Sequence, residues 1–214
     1  QEFATHSKIK GLKFVIMYGQ TEAAPRIAYL PADFALDKQG SIGMAIPGGR
    51  LSLKNEEGQL ITSDNVVGEL VYEGPNVFLG YSKGFEDLSK SDEQFNVLPT
   101  GDLAKRDEDG FYYIVGRLAR FVKLFGHRIN LADIENMLLK QGTEVICKGK
   151  DDNLEIYMLN EHESKAKAIK KLVSQFLKVN INSLKVYCIS SFPRNETGKI
   201  NYKGLSVSSS RVVA

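Results

Sequence analysis

Short apolar stretches, interrupted every few residues by glycine, proline, asparagine or aspartate, are the feature that most limits how this chain can fold. The stretches lie at 50–54, 67–73 and 111–115, and turn sequences stand between them at 55–58, 74–76 and 107–110. Stretches this short predict β-strands, because a helix needs a longer uninterrupted periodic run. We therefore predict that the first part of the chain is mostly β, with a buried strand at 13–17 and a hairpin that turns at Gly110.

The last third of the chain adds two segments with helical periodicity. Residues 131–140 carry apolar side chains at helical spacing, and Asn130 is placed to cap them. Residues 164–178 are the clearest helix, with Ser164 as its predicted cap. Its predicted apolar face consists of Ala168, Leu172 and Phe176, with Ile169 and Val173 as further candidates. Strands are predicted at 120–125, 143–148, 154–159 and 185–190, which gives the order β-α-β-β-α-β of a small α+β unit.

The composition is that of an ordinary globular protein and excludes several functional classes. Of the 214 residues, 43% are apolar, and 28 basic residues balance 26 acidic ones. A net charge of +2 provides no broad field for nucleic acid, so we expect no nucleic-acid partner. The sequence has neither a run of about 18 apolar residues nor a signal-peptide pattern, which predicts a cytoplasmic protein with no membrane span. Cys147 and Cys188 lie outside any CxxC pattern, and free thiols are favoured over a disulfide.

Two short motifs carry candidate ligands for a nucleotide. Residues 18–22 read Tyr-Gly-Gln-Thr-Glu directly after the predicted strand. The Thr21 hydroxyl and the Glu22 carboxylate could together meet a phosphate oxygen and a Mg²⁺ ion, although an ordinary turn explains this pentapeptide equally well. Further along, Thr-Gly-Asp at 100–102 offers a carboxylate that could accept hydrogen bonds from a ribose diol. Alone, Asp102 is better explained as a turn residue.

Two basic segments follow these motifs. Residues 116–130 alternate cationic and apolar side chains, which suits either a polyanion or a solvated edge strand. Residues 193–199 read Pro-Arg-Asn-Glu-Thr-Gly-Lys, and their lysine offers a point charge for phosphate. A Walker A loop is excluded, because Pro193 stands where that motif needs glycine and Ile200 where it needs serine or threonine. The alternative to a phosphate contact is a lysine in a mobile loop.

Taken together, these segments resemble the adenylate-forming superfamily, which holds acyl-CoA synthetases, the adenylation domains of peptide synthetases and luciferases. The motifs are YGQTE, TGDLAKRDEDGFYYIVGR, RFVKLFGHRINLADIE and PRNETGK, in this order. They cover about residues 10–203 and look most like bacterial AMP-forming acyl-CoA synthetases. The resemblance implies an α+β fold in which residues 1–117 are the β-rich C-terminal part of the large AMP-binding domain. Residues 118–214 would then be the small mobile C-terminal domain.

The resemblance also implies a chemistry. A carboxylic acid attacks the α-phosphate of ATP in the presence of Mg²⁺, giving acyl-AMP and pyrophosphate, and the thiol of coenzyme A then displaces AMP. An adenylation enzyme that loads the phosphopantetheine of an acyl carrier protein is the alternative within the family. Members usually carry a phosphate loop well upstream of the YGQTE motif, and this sequence lacks it. We therefore expect these residues alone to be inactive, as a noncatalytic nucleotide-binding fragment would be.

Carried over residue by residue, the family motifs imply roles for several side chains. Around the nucleotide they are Tyr18 against adenine with Ile114 nearby, Gly19 as a further cofactor-binding residue, Thr21 at the phosphates, Glu22 on Mg²⁺, and Asp102 and Arg117 at the ribose hydroxyls. Lys199 would bridge the acyl carboxylate and the α-phosphate as a charge stabiliser in the first step. In the second step the small domain would rotate and bring in the face of Lys123, Gly126, His127 and Arg128. One departure is Ala119, at the hinge position where the family usually has aspartate or lysine.

Overall fold

The fold is mixed α/β and consists mostly of strands, which confirms the predicted class. The computed structural model describes residues 2–23, 25–150, 152–159 and 163–205, together with the backbone of 211–212. The chain divides into two compact units, Gln1–Leu118 and Ala119–Ala214, here called unit 1 and unit 2. Among the described residues, no helix is long and apolar enough to cross a membrane. The polar tail at 206–210 lies outside the described residues.

The described residues of unit 1 form two antiparallel sheets and one short α-helix, besides short 3-10 turns. The helix is α1 (Glu2–Ile9), which the sequence reasoning did not predict. A three-stranded sheet holds β1 (Ile16–Tyr18), β2 (Ala28–Leu30) and β3 (Met44–Ala45) in that order. A four-stranded meander holds β4 (Arg50–Lys54), β5 (Gly68–Glu73), β6 (Val97–Arg106) and β7 (Tyr112–Arg117).

Alternating side chains explain why the meander forms. In β4 the sequence Arg-Leu-Ser-Leu-Lys buries Leu51 and Leu53 and leaves the residues between them more exposed. These leucines join the core of unit 1 together with Leu70 and Tyr72 from β5. The predicted hairpin connects β6 to β7, and Gly110 at its turn has a φ of +83°, a conformation that favours glycine.

Unit 2 packs two helices on one face of a small sheet. A hairpin of β8 (Phe121–Leu124) and β9 (His127–Asn130) comes first. Then follow α2 (Leu131–Leu139), β10 (Val145–Lys150), β11 (Asn153–Leu159), α3 (Glu163–Leu177), β12 (Leu184–Ile189) and β13 (Arg211–Val212). The sheet order is β10-β11-β12-β13, and β11 and β12 are parallel because α3 carries the chain back between them.

The two faces of this sheet have separate apolar clusters. The helix side holds Val145, Cys147, Ile156, Met158 and Val186, with Ile134, Leu138, Ile169 and Val173 from the helices. The other side holds Ile146, Tyr157, Tyr187, Ile189 and Leu205, with Phe192 and Ile200 packed against them. Successive strand residues point to opposite faces, so each strand serves both clusters. Both cysteines are free thiols, Cys147 buried and Cys188 partly buried, as predicted.

Three local predictions for unit 2 need correction. The single strand predicted at 120–125 is the first half of the β8–β9 hairpin, which turns through Phe125 and Gly126 at positive φ. The face predicted for α3 is only partly right, because Ile169 and Val173 are buried and Leu172 packs against the core, but two other members are not. The buried positions are Ala166, Ile169 and Val173, whereas Ala168 and Phe176 are exposed.

The buried stripe of α3 follows Ala166, Ile169 and Val173 at spacings of three and four residues, and Phe176 lies outside it. Ser164 lies inside the helix, which begins at Glu163, and is therefore not its cap. The prediction for α2 is confirmed. The Asn130 side chain accepts a hydrogen bond from the backbone N–H of Ala132 and caps this helix.

Candidate active site

Asp102 is the centre of a buried polar cluster in unit 1. Its side chain is almost inaccessible, with the residue only 4% exposed. The Tyr18 hydroxyl donates to Asp102 Oδ2 at 2.5 Å, and Arg117 Nε lies 3.0 Å from Oδ1. The strand register explains the second contact, since Asp102 of β6 is directly opposite Arg117 of β7. A buried carboxylate needs such partners, because burying it without them is costly.

Gln20 ties this cluster together. Its Nε2 donates to Asp102 Oδ2 at 3.1 Å and to the carbonyl oxygen of Thr100 at 2.9 Å. The Thr100 hydroxyl donates to the Leu70 carbonyl and accepts from the backbone N–H of Asp102. Sequence reasoning did not anticipate the role of Gln20. The available signal was its position two residues after Tyr18, on the same side of an extended segment.

Tyr18 is a hydrogen-bond donor in this cluster. Burial and the adjacent Asp102 carboxylate raise the pKa of Tyr18 well above its ordinary value of 10.0. The hydroxyl therefore keeps its proton at neutral pH, and the bond to Asp102 holds the half-buried ring in one orientation. Ile114 packs against the same apolar cluster as Tyr18, so both predicted adenine contacts border one core.

Gly19 allows a close approach of two backbone segments after β1. A Cβ at this position would lie 2.4 Å from the carbonyl oxygen of Pro25, which no side chain can occupy. The glycine therefore has a packing reason at this turn, independent of any ligand. The next residues, Thr21–Ala23, form a single turn of 3-10 helix, in which Thr21 is exposed.

Glu22 is held by a residue that the sequence analysis did not select. The Tyr81 hydroxyl donates to Glu22 Oε1 at 2.7 Å, and the backbone N–H of Phe78 donates to the Glu22 carbonyl. The Tyr81 bond is the largest cause of a lowered Glu22 pKa, and the positive charge of Arg117 adds to it. Glu22 is thus an ionised, partly exposed carboxylate. Arg117, which lowers its pKa, is the same arginine that pairs with Asp102.

The β8–β9 hairpin of unit 2 carries the second predicted group. Lys123 pairs directly with Arg128, so both lie on the outward face, whereas His127 pairs with the buried Leu124 on the other face. His127 is nevertheless exposed, because it stands at the turn of the hairpin beside Gly126. The guanidinium of Arg128 lies 5.0 Å from the ring centroid of Phe121, which supports a stacked orientation.

Lys199 lies on a separate, closed turn of unit 2. Backbone bonds join Asn195 to Lys199 and Gly198 to Asn195, and Arg194 pairs with Ile200 below the turn. Lys199 is exposed, but its backbone is ordered by local hydrogen bonds.

The predicted residues therefore form three groups: the Asp102 cluster with Glu22, the β8–β9 hairpin, and the Lys199 turn. The first group combines a buried carboxylate, a fixed tyrosine and an arginine, which suits the polar groups of a nucleotide. Within the described ranges, no three His, Cys, Asp or Glu side chains converge as a metal site. Glu22 can still serve Mg²⁺, because this ion commonly takes one or two carboxylates and completes its shell with phosphate and water.

Comparison with known proteins shows which proteins the chain resembles. Residues 3–82 match the protein family described as AMP-binding enzyme. The resemblance to the adenylate-forming superfamily is confirmed. A curated relative within this superfamily is the 2-succinylbenzoate–CoA ligase of Bacillus cereus, 38% identical over 130 residues, which make up 61% of this chain and 26% of the ligase. A second is the ligase of the same name from Bacillus cytotoxicus, 37% identical over the same length.

Solved structures of adenylate-forming enzymes share the fold. O-succinylbenzoate coenzyme A synthetase from Bacillus subtilis in complex with AMP superposes with a TM-score of 0.68 at 24% identity, over 96% of this chain and 43% of that chain. The same enzyme in complex with ATP and magnesium superposes with a TM-score of 0.67 at 24% identity. This match covers 95% of this chain and 43% of that chain. The chain spans about a quarter of the length of the curated relatives that it matches.

Proposed function

We propose that the protein containing this chain is an AMP-forming acyl-CoA synthetase. It would activate a carboxylic acid with ATP as an acyl-adenylate and then transfer the acyl group to the thiol of coenzyme A. The family match at residues 3–82 and the curated CoA ligases at 37–38% identity support this assignment. The buried Asp102 carboxylate is the structural observation that carries it, since Tyr18 and Arg117 flank it within one polar cluster.

Asp102 and its neighbours would bind the nucleoside. A carboxylate can accept two hydrogen bonds from a ribose diol, and Arg117 would hold it correctly oriented. The ring of Tyr18, fixed through its hydroxyl, would lie against adenine, with Ile114 nearby. Gly19 would bind the nucleotide as part of the same segment, directly after Tyr18.

Glu22 and Thr21 would face the phosphates. The ionised Glu22 carboxylate is a suitable ligand for Mg²⁺, and the Thr21 hydroxyl is exposed beside it. When bound, Mg²⁺ would neutralise charge on the phosphate oxygens. Tyr81, which donates to Glu22 Oε1, would leave the second carboxylate oxygen to the metal.

Lys199 and the β8–β9 hairpin would act in successive steps. Lys199 would lie between the acid carboxylate and the α-phosphate, where its positive charge stabilises the negative charge that develops there. Lys123 and Arg128, with Gly126 and His127 at the end of the same hairpin, would replace it for the thiol step. The two groups belong to the same unit but to different elements, which fits use in different steps.

The relatives indicate which acid and which acceptor to test first. Because those relatives are named 2-succinylbenzoate–CoA ligases, 2-succinylbenzoate is the first acid to test. Thioester formation with free coenzyme A supports a synthetase. Acylation of a carrier protein's phosphopantetheine with no turnover of coenzyme A would instead make the protein a carrier-loading enzyme.

Lys199→Ala in a full-length enzyme carrying this chain tests the assignment. We expect the rate of acyl-adenylate formation, measured as pyrophosphate release, to fall roughly 100- to 1000-fold, because a positioned charge stabiliser is lost. Thioester formation from supplied acyl-AMP should fall much less. Lys203→Ala is the matched control, an exposed lysine four residues further along. Equal losses in both half-reactions would contradict the proposed role.

A further inference from the structure

The turn that presents Lys199 occurs three times in the described part of the chain. Its sequences are Asn-Glu-Glu-Gly-Gln at 55–59, Asp-Glu-Asp-Gly-Phe at 107–111 and Asn-Glu-Thr-Gly-Lys at 195–199. We call each an Asx–Gly turn, with Asn or Asp first and glycine fourth. In all three, the N–H of the first residue donates to the carbonyl of the fifth at 2.9 Å. The glycine N–H donates back to the carbonyl of the first residue at 2.9–3.0 Å.

The side chain of the first residue completes each turn. Its Oδ1 accepts from the N–H of the third residue at 3.1 Å and from the N–H of the fifth at 2.8–2.9 Å. The glycine has a φ of +78° to +83° in every case. The same five positions thus adopt one conformation in both units, and local interactions alone explain it.

The fifth residue is what differs between the turns. Gln59 follows strand β4, and the buried Phe111 directly precedes β7, the return strand of the β6–β7 hairpin. The third turn places the exposed Lys199 at this position. Two further bonds reinforce it, from the Thr197 hydroxyl to Asn195 Oδ1 at 2.8 Å and from Arg194 Nη1 to the Gly198 carbonyl at 2.8 Å.

The base of the Lys199 turn is attached to the sheet of unit 2. Ile200 and Phe192 pack against the cluster of Tyr157 and Tyr187 on the face opposite the helices. The N–H of Asn201 donates to the Pro193 carbonyl at 2.8 Å and closes the turn below Lys199. Movement of Lys199 is therefore limited at the base by packing and at the tip by the Asn195 side chain.

We infer that Asn195 is a positioning residue for Lys199, an inference that rests on the proposed function of Lys199. Asn195 Oδ1 accepts directly from the backbone N–H of Lys199 at 2.9 Å, so its removal frees the segment that carries the reacting lysine. Misplacing a catalytic group by about 1 Å can cost roughly 100-fold in rate. Asn195 itself reaches no reacting atom in this scheme and acts through Lys199.

Asn195→Ala, Asn195→Asp and Asn55→Ala in a full-length enzyme carrying this chain test the inference. Asn195→Ala should lower kcat for adenylation by roughly 10- to 100-fold, with smaller changes in KM and in thioester formation from supplied acyl-AMP. Asn195→Asp should restore most of the rate, because Asp107 makes the same bonds in its own turn. Asn55→Ala opens an equivalent turn remote in sequence and should leave both half-reactions unchanged.

Hydrogen exchange in the 214-residue chain provides a measurement independent of activity. The Lys199 amide should exchange roughly three- to tenfold faster in Asn195→Ala and return toward the original rate in Asn195→Asp. Unchanged exchange, or full adenylation by Asn195→Ala in an enzyme that Lys199→Ala cripples, would overturn the inference alone. Full adenylation by Lys199→Ala would instead overturn the proposed role of Lys199, and the inference with it.

Discussion

The Asp102 cluster and the Lys199 turn hold their functional groups by opposite means. Asp102 is buried, and its partners Tyr18 and Gln20 lie 84 and 82 residues away in sequence. Lys199 is exposed, and the side chain that orders its backbone is four residues away. The first arrangement exists only when unit 1 is folded. The second is encoded in five consecutive residues and needs only an anchored base.

Two glycines allow the sharpest test of this difference. Gly43 and Gly198 both have positive φ, but a Cβ at Gly43 would lie 1.8 Å from the Tyr29 carbonyl oxygen, whereas nothing lies within 4 Å at Gly198. We expect Gly43→Ala to cost more than about 4 kcal/mol of stability. Gly198→Ala should cost only about 1–2 kcal/mol, the strain of a left-handed alanine.

Hydrogen exchange of the amides in each unit measures both glycine effects separately. Gly43→Ala should lower protection throughout the sheets of unit 1, because the backbone of β2 cannot move away without losing its pairing with β3. Similar, small losses of protection in the two variants would show that the backbone near Tyr29 can move to accommodate a Cβ at Gly43.

Asp102→Ala should have the next largest effect. Loss of the carboxylate leaves the Tyr18 hydroxyl without its acceptor and removes one of two acceptors of Gln20, which we expect to cost about 1–3 kcal/mol. Arg117 contributes less, because its side chain is 69% exposed. Chemical denaturation monitored by circular dichroism measures the change in the free energy of unfolding.

Asp37→Ala is the control for this measurement. It replaces an exposed aspartate in the same unit and should change stability by less than about 0.5 kcal/mol. Equal stability of the two variants would mean that solvent replaces the cluster's hydrogen bonds.

Tyr81→Phe should have the smallest effect, which is measured as a change in the pKa of Glu22. The tyrosine bond lowers the pKa of Glu22, so its stabilising contribution is complete above the unfolded value and is lost as the pH falls through the folded value. In Tyr81→Phe the Glu22 pKa should rise back toward its ordinary value of 4.5. A pH titration of the Glu22 carboxyl by NMR measures this shift.

Tyr113→Phe is the matched control for this titration, since its hydroxyl also donates to a carboxylate, that of Asp107. It should leave the Glu22 pKa unchanged. If both variants moved the Glu22 pKa equally, a general change of the unit 1 surface would explain the result, and the Tyr81 bond would not.

Local features of the fold were predictable from the sequence because neighbouring residues create them. The alternation in 50–54, the positive φ of Gly110 and the Asn130 cap each depend on a few adjacent positions. The segments that carry the candidate site were recognisable for the same reason, as ordered motifs. The nucleotide, metal and thiol roles given to their residues stay predictions that the experiments above address.

Long-range features were decided by the tertiary structure. The sequence could not show that the Tyr18 hydroxyl points to Asp102, that Tyr81 holds Glu22, or which side of α3 is buried. Each of these depends on strand register and on packing between segments distant in the chain, and such contacts leave no local pattern. By itself the sequence determined the turn that presents Lys199, because all its bonds are local. Only the folded unit 1 decided how Asp102 is held, because a carboxylate buried this deeply is stable only where distant donors converge on it.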